Sequence, residues 1–223
     1  MDWSAFALSL KLASATSAIL LPLGLMLGRV LAWKRFRGKG VAEALLALPL
    51  VLPPIVLGYF LLVAFGGASP LGRAWQALTG GTLVFTFSGL LIASLIVNLP
   101  FAVQPITRAL AAIDPEIREA AWVSGLSRGA ALWRIELPLA WPGVLQALAL
   151  CFAHTLGEFG VVLMVGGNIP GETRTISLAI YDRAQAFDAH GAATMSLVLL
   201  GFSLAALVAA QLLTGRIGSR HEG

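Results

Sequence analysis

Apolar residues run through this chain in five long blocks, at about 9–31, 42–65, 82–104, 139–163 and 191–213. Each is long enough to cross the hydrocarbon of a bilayer as a helix, which takes roughly 20 residues. Between them lie WKRFRGKG, GGASPLGRAWQALTG, a long polar stretch over 105–138 and a second over 166–190. The pattern predicts an all-α membrane protein with five transmembrane helices, forming one domain over residues 1–223.

Charge orients these spans. Lys34, Arg35, Arg37 and Lys39 fill the first loop, Arg108, Arg118, Arg128 and Arg134 the third, and Arg216 and Arg220 the tail. Five spans put all three regions on one side. The other side holds Arg73, Arg174 and Arg183, diluted by Glu172, Asp182 and Asp188. Basic loops stay in the cytoplasm. Residues 34–40 and 106–138 are therefore expected inside, 67–80 and 166–190 outside, with the amino terminus outside and the carboxyl terminus cytoplasmic. Such a chain sits in the cell inner membrane as a multi-pass protein, with the lipid bilayer as its first partner.

Composition agrees: 58% of the 223 residues are hydrophobic and 12% charged, against about 25% charged in soluble domains. The net charge of +4 lies at the ends of apolar runs, so it argues for membrane orientation and against a nucleic-acid partner. The amino-terminal run carries Asp2 and no leading basic cluster, which predicts a retained span rather than a cleaved signal. Lys11 is placed to snorkel to the outer interface. The lone Cys151 reads as a small core residue.

Prolines mark where spans depart from straight helices: Pro22 in the first, Pro49, Pro53 and Pro54 in the second, Pro100 and Pro105 bracketing the end of the third. A freed carbonyl in a membrane must be met by protein or water, so the Pro53–Pro54 pair fits a span facing a cavity or a packed helix. Gly24 and Gly28 are spaced for close helix approach. Glu158 is ionisable within the fourth apolar block, and His154, four residues earlier, shares its helix face. Such a pair fits a structural or gate-adjacent role; a proton relay would want more carboxylates in other spans, and two side chains are too few for zinc. Asn98 and Gln146 can hydrogen-bond between helices or pack as polar fillers. The sequence has no phosphate-binding loop, metal-ligand array or hydrolytic triad. An enzyme and a resident cofactor are not expected, and uphill work would need a partner or an ion gradient.

The stretch EAAWVSGLSRGAALWRIELP at 119–138 is the most specific feature. Asp114 and Pro115 read as the start of a short helix, Gly125 as a sharp turn, and Pro138 as the stop of a second short helix at the next span. Ala120, Ala121, Leu132, Trp133 and Ile135 supply an apolar surface. By spacing alone this is either an interfacial amphipathic element or a docking site. Glu119, Ala120, Ala121, Gly125, Ile135, Leu137 and Pro138 fill every position of a Glu-Ala-Ala, three residues, Gly, nine residues, Ile-x-Leu-Pro pattern. That pattern resembles the cytoplasmic coupling loop of the membrane subunits of binding-protein-dependent ABC importers, and it decides for docking, with 106–138 as the coupling region. LPLVLPPIVLGYFLLVAFG at 48–66 and GEFGVVLMVGGNIPGETRTISLAIYD at 157–182 resemble molybdate permeases within that family. Sulfate permeases are similar over the GEFG residues and less so over NIPGETRT. Val161-Val162 stand where many molybdate permeases carry Ala-Thr, which replaces a polar gate neighbour by an apolar one.

The resemblance implies a type I ABC importer permease fold and a permease subunit of an ATP-driven molybdate or tungstate importer, with a related oxyanion such as sulfate as the alternative. It further implies a homodimer enclosing the path, two cytoplasmic ABC ATPase subunits carrying ATP and Mg, and an extracytoplasmic molybdate-binding protein. Pro53, Pro54, Glu158, Asn168 and Arg174 are the candidate path or gate residues. An ionised Glu158 would repel the anion, which leaves it holding helices or a gate. Arg174 can attract the anion near the outer mouth or serve as a solvated loop charge.

Overall fold

The computed structural model describes residues 1–218. Arg220 lies outside the described residues, as does the side chain of Arg216. The described chain is helical throughout: α1 (Trp3–Trp33), α2 (Lys39–Val51), α3 (Pro54–Phe65), α4 (Pro70–Thr79), α5 (Phe87–Ala111), α6 (Pro115–Val123), α7 (Arg128–Ala131), a π-helical turn (Leu132–Glu136), α8 (Leu137–Gly157), α9 (Gly160–Gly166), α10 (Ile176–Gln185) and α11 (Ala189–Gly218).

Four segments are long and apolar enough to span a bilayer: α1, α5, the run Arg128–Gly157, and α11 over Ala189–Ala209. The expected second span is instead two pieces, α2 and α3, bent by 111° at Leu52–Pro53. Pro53 lacks an N–H and Pro54 begins the next helix, so the backbone cannot continue the first ladder through them. The expected fourth span also differs. It starts further in, at Arg128, and its straight part stops at Gly157. Glu158 takes an extended conformation (ψ 130°), and α9 follows as a separate short helix. Glu158 thus sits at a helix break, not within a helix. Pro138 does not stop a helix either: it is the second residue of α8, and the π turn before it accommodates the missing donor. Pro100 and Pro105 lie inside α5, which runs on to Ala111.

The core is α1 against α5 and α8. The first span buries a stripe of small residues, Ala5, Ser9, Ala13, Thr16, Gly24 and Gly28 among them. A Cβ on Gly24 would meet Ala102 at 3.2 Å and one on Gly28 would meet Ile106 at 3.0 Å, so both glycines do set the approach to α5. Gly143 does the same for α8, where a Cβ would come within 2.8 Å of the Pro105 carbonyl. Cys151 is fully buried here, as a small core residue should be. By contrast α2 has no buried residue, and the membrane segment of α11 is almost wholly exposed. These faces are apolar, as surfaces for lipid or another subunit must be.

Candidate coupling and gate sites

The candidate coupling region begins as its sequence requires. Asp114 accepts a hydrogen bond from the Glu116 amide (2.9 Å) and Pro115 opens α6. The helix ends in a Schellman motif: the Gly125 amide donates to Trp122 O (3.0 Å) and the Leu126 amide to Ala121 O (3.1 Å). Gly125 carries φ +80° with nothing within 4 Å of a built Cβ, so its requirement is conformational, not steric. This explains the fixed spacing from the second alanine to the glycine. Ala121 supplies both the buried seat of the helix and the acceptor that closes it, and Gly125 is the left-handed residue that the closure needs. Ser127 then caps α7 through the Ala130 amide (3.2 Å).

The surface this builds differs from the one expected. Ala121 is buried and Leu132 and Ile135 are half-buried, as is Leu137, whereas Glu119, Ala120 and Pro138 are exposed. The exposed apolar residues are Val123 (90%), Trp133 (67%), Trp122 and Ile117. Val123, at the end of α6, is thus a fully presented β-branched apolar side chain beside Trp122.

Beneath that surface lies a cluster centred on Glu136, which is 1% exposed. Arg29 of α1 reaches it through Nε (2.8 Å) and Nη2 (3.1 Å) and also donates to the Arg128 carbonyl (3.2 Å). Arg118 of α6 lies 3.7 Å from the same carboxylate, with its guanidinium stacked 3.5 Å over Trp33 and 5.0 Å from Trp122. Partial burial pushes the Arg118 pKa down, Glu136 opposes this, and Arg29 adds to it; a guanidinium stays charged regardless. The cluster fastens α6 and the π turn to the carboxyl-terminal end of α1.

Toward the other end, the two chain breaks meet. A Cβ on Gly160 would fall 2.9 Å from Ile55 N and from Pro54 Cβ, and one on Gly58 would fall 3.0 Å from Val161 Cα. Thus α3 and α9 pack backbone to backbone, with Pro54 set against Gly160, two residues past Glu158. Buried Glu158 accepts from the Val161 amide (3.1 Å), which caps α9. Its carbonyl accepts from Ser177 Oγ (2.6 Å), and its carboxylate stands 3.8 Å from His154 Nε2. The His154–Glu158 neighbourhood therefore survives the break. His154 Nδ1 lies 3.1 Å from Asn98 Oδ1, whose amide nitrogen donates to Ser94 O, so Asn98 does bridge two spans. Gln146 is exposed.

Asn168 and Arg174 form a separate group above α9. Asn168, at φ +59°, donates to both Asp182 oxygens (2.9 and 3.0 Å) and accepts from Arg174 Nε (3.0 Å). Arg174 also pairs with Asp182 (3.4 Å). Fully buried Thr173 donates to Gly166 O (2.6 Å) and accepts from the Ile169 amide (2.9 Å), so the NIPGETRT loop is closed on itself. The Ile176 amide ties it to Ser9 of α1 (2.8 Å). The gate candidates are thus two groups joined through α9.

A model of the "binding-protein-dependent transport system inner membrane component" family matches residues 21–219. The chain belongs to that family. Among similar proteins of this family is the molybdenum transport system permease protein ModB of Azotobacter vinelandii, 47% identical over 84% of this chain and 83% of that protein. The ModB of Escherichia coli K12 is 35% identical over 100% of this chain and 97% of that one. A probable sulfate transport permease of Chlorokybus atmophyticus is 33% identical over 81% of this chain and 63% of that protein. Two solved ABC transporters share the fold of this inner membrane component. A bacterial importer of alginate superposes with TM-score 0.77 at 16% identity, over 96% of this chain and 79% of that one. The methionine transporter MetNI in an inward-facing form gives TM-score 0.70 at 16% identity, over 97% and 94%.

Sequence reasoning missed Glu136, Arg29 and the role of Arg118. Glu136 is the unspecified position of Ile-x-Leu-Pro, and the signal that could have found it is a carboxylate abutting an apolar span, with one arginine near the end of another span and a second in the same polar stretch.

Proposed function

We propose that this chain is the permease subunit of an ATP-driven molybdate importer. The observation that carries the reading is the coupling helix closed at Gly125, with Val123 and Ala120 exposed on a segment anchored to α1 by Glu136. The molybdenum permeases at 35% and 47% identity supply the substrate class. Two copies, paired through the uncovered faces of α2, α3 and α11, enclose the path. Two ATPase subunits, holding ATP and Mg, dock on the paired coupling helices from the cytoplasm. An extracytoplasmic molybdate-binding protein delivers the anion to the opposite face. The basic loops keep the coupling end inside and the amino terminus outside.

The chemistry is mechanical. ATP binding to the partner favours one arrangement of the coupling helices. Arg29, Glu136 and Arg118 pass their displacement to α1, while the π turn passes it directly into α8. At the other end of α8 the Glu158 break holds α9 against α3, where movement opens or closes the path. Tungstate, of the same charge and shape, is an equivalent cargo.

The test is molybdate uptake into proteoliposomes containing this chain, its ATPase and the receptor. ATP-dependent uptake that excess sulfate leaves unchanged is expected. Uptake that sulfate competes away favours the sulfate reading, for which the Chlorokybus atmophyticus similarity is the observation. Uptake without the ATPase would reject the ABC mechanism in favour of an ion-coupled carrier.

A further inference from the structure

Beside the Glu136 cluster lies a pocket of about 460 Å³ between the inner end of α1 and the coupling region. Four cations border it, Arg29, Lys34, Arg118 and Arg128, and behind them stands one carboxylate, Glu136. Glu136 is shared by Arg29 and Arg118. Among the described residues no carboxylate lies within ion-pair distance of Lys34 or Arg128. Trp33 and Trp122 line the same rim, the residue type that sits at headgroup level. Below the rim the wall is aliphatic: Leu25, Met26 and Val30 of α1, with Leu132 opposite. From Trp33 at the rim to Leu25 this wall descends along α1 for about 12 Å at the helical rise. Met26 is 67% exposed on it, within an apolar helix that spans the bilayer.

A site that is cationic and aromatic at its mouth and aliphatic along its depth matches an amphiphile. A free oxyanion would satisfy the cations and leave the aliphatic wall without an occupant. We propose that this pocket binds an anionic phospholipid from the leaflet on the basic side, its phosphate between Lys34 and Arg128 and an acyl chain along Leu25, Met26 and Val30. The bound phosphate would bridge the end of α1 to α7, next to the point where Arg29 already grips the Arg128 carbonyl. The lipid would stiffen the attachment of the coupling region to the span. The inference needs only that the chain crosses a bilayer and is independent of the cargo and the ATPase.

The test uses the full-length protein extracted mildly from mixed phosphatidylcholine–phosphatidylglycerol vesicles, with retained lipids counted by native mass spectrometry. The parent should retain phosphatidylglycerol in preference. The double variant K34Q/R128Q should retain about thirtyfold less, since each of the two cations near an anionic headgroup contributes roughly 1 kcal/mol, with phosphatidylcholine unchanged. Lys34→Gln alone, at an exposed position, should show a smaller loss in the same direction and guards against misfolding of the pair. Equal phosphatidylglycerol retention by parent and both variants would overturn the proposal. A second arm compares thermal stabilisation of delipidated protein by short-chain phosphatidylglycerol, by glycerol phosphate and by inorganic phosphate. Stabilisation by the lipid alone supports the site, and equal stabilisation by the free anions would assign it to a soluble anion.

Discussion

The proposed coupling end and the proposed outer end of this protein are built on opposite plans. Over 114–131 the polar groups close locally: Asp114 on Glu116, Gly125 on Trp122, Leu126 on Ala121 and Ser127 on Ala130. Among the described residues one long-range cluster, Arg29–Glu136–Arg118 with the Arg29 bond to the Arg128 carbonyl, ties this stretch to the bundle. Over 158–182 several bonds run between elements: Ser177 to the Glu158 carbonyl, Asn168 to Asp182, Ile176 to Ser9, and the Phe85 amide to Val165 O. The coupling end is therefore a prefabricated unit on one fastening, suited to being moved as a body. The outer end is a knot of many fastenings, suited to holding one shape until the helices beneath it shift. Local closure also leaves the coupling helix an apolar face free for a partner.

Removing the one fastening should have the largest effect. Glu136→Ala leaves two guanidiniums around an empty buried site and should cost about 3 kcal/mol. Thermal unfolding in detergent measures it, and proteolysis within 114–128 should accelerate first. If unfolding is unchanged, the coupling end has fastenings besides this cluster.

Next comes the α3–α9 contact. Gly160→Ala puts a methyl group 2.9 Å from a backbone nitrogen, which should cost about 2 kcal/mol through overpacking. Gly157→Ala, three residues earlier and with nothing within 4 Å, should be nearly silent. Equal stabilities for the two would mean that the two breaks do not brace one another.

Gly125→Ala should cost about 1 kcal/mol, the penalty for a Cβ at positive φ. It should lower receptor-stimulated ATP hydrolysis while membrane insertion stays at the parent level. Gly129→Ala, in open space inside α7, is the control and should leave hydrolysis unchanged. Equal hydrolysis by Gly125→Ala and the parent would remove the turn from coupling.

Arg174→Ala should lower stability by less than about 1 kcal/mol, as its partner Asp182 is partly solvated. Steering of the anion predicts a transport loss that shrinks at high salt, whereas holding the loop through Asn168 and Asp182 predicts the same loss at both ionic strengths. The pairing with Asp182 favours the second outcome. Val123→Asp should leave stability within roughly 0.5 kcal/mol and yet abolish copurification of the ATPase. Retained ATPase would place the dock elsewhere on the segment.

Much of this was legible from residues near one another in the chain. Apolar blocks placed the first, third and fifth spans, because an unbroken helix needs roughly 20 apolar residues to cross the hydrocarbon, whereas the second and fourth blocks are each broken in two. The Asp114–Pro115 start and the Gly125 turn could be read because caps and left-handed turns are decided within five residues. Pro53–Pro54 announced a break, since proline removes its own hydrogen bond wherever the chain goes. What the sequence by itself could not determine was decided by neighbours far along it. The apolar block around Glu158 does not say that α8 ends there, because the extended backbone is held by Ser177 from another helix, beyond the local cap on Val161. Nothing near Pro138 says that the helix runs through it, because the π turn that absorbs the proline ends at Glu136, a carboxylate anchored by Arg29 from 107 positions away. Ala121 and Ala120 look alike in the motif, and only packing buries one and presents the other. Tertiary structure decided these points because a buried charge, a bend and an exposed face each depend on what lies across the gap, and those residues come from other helices.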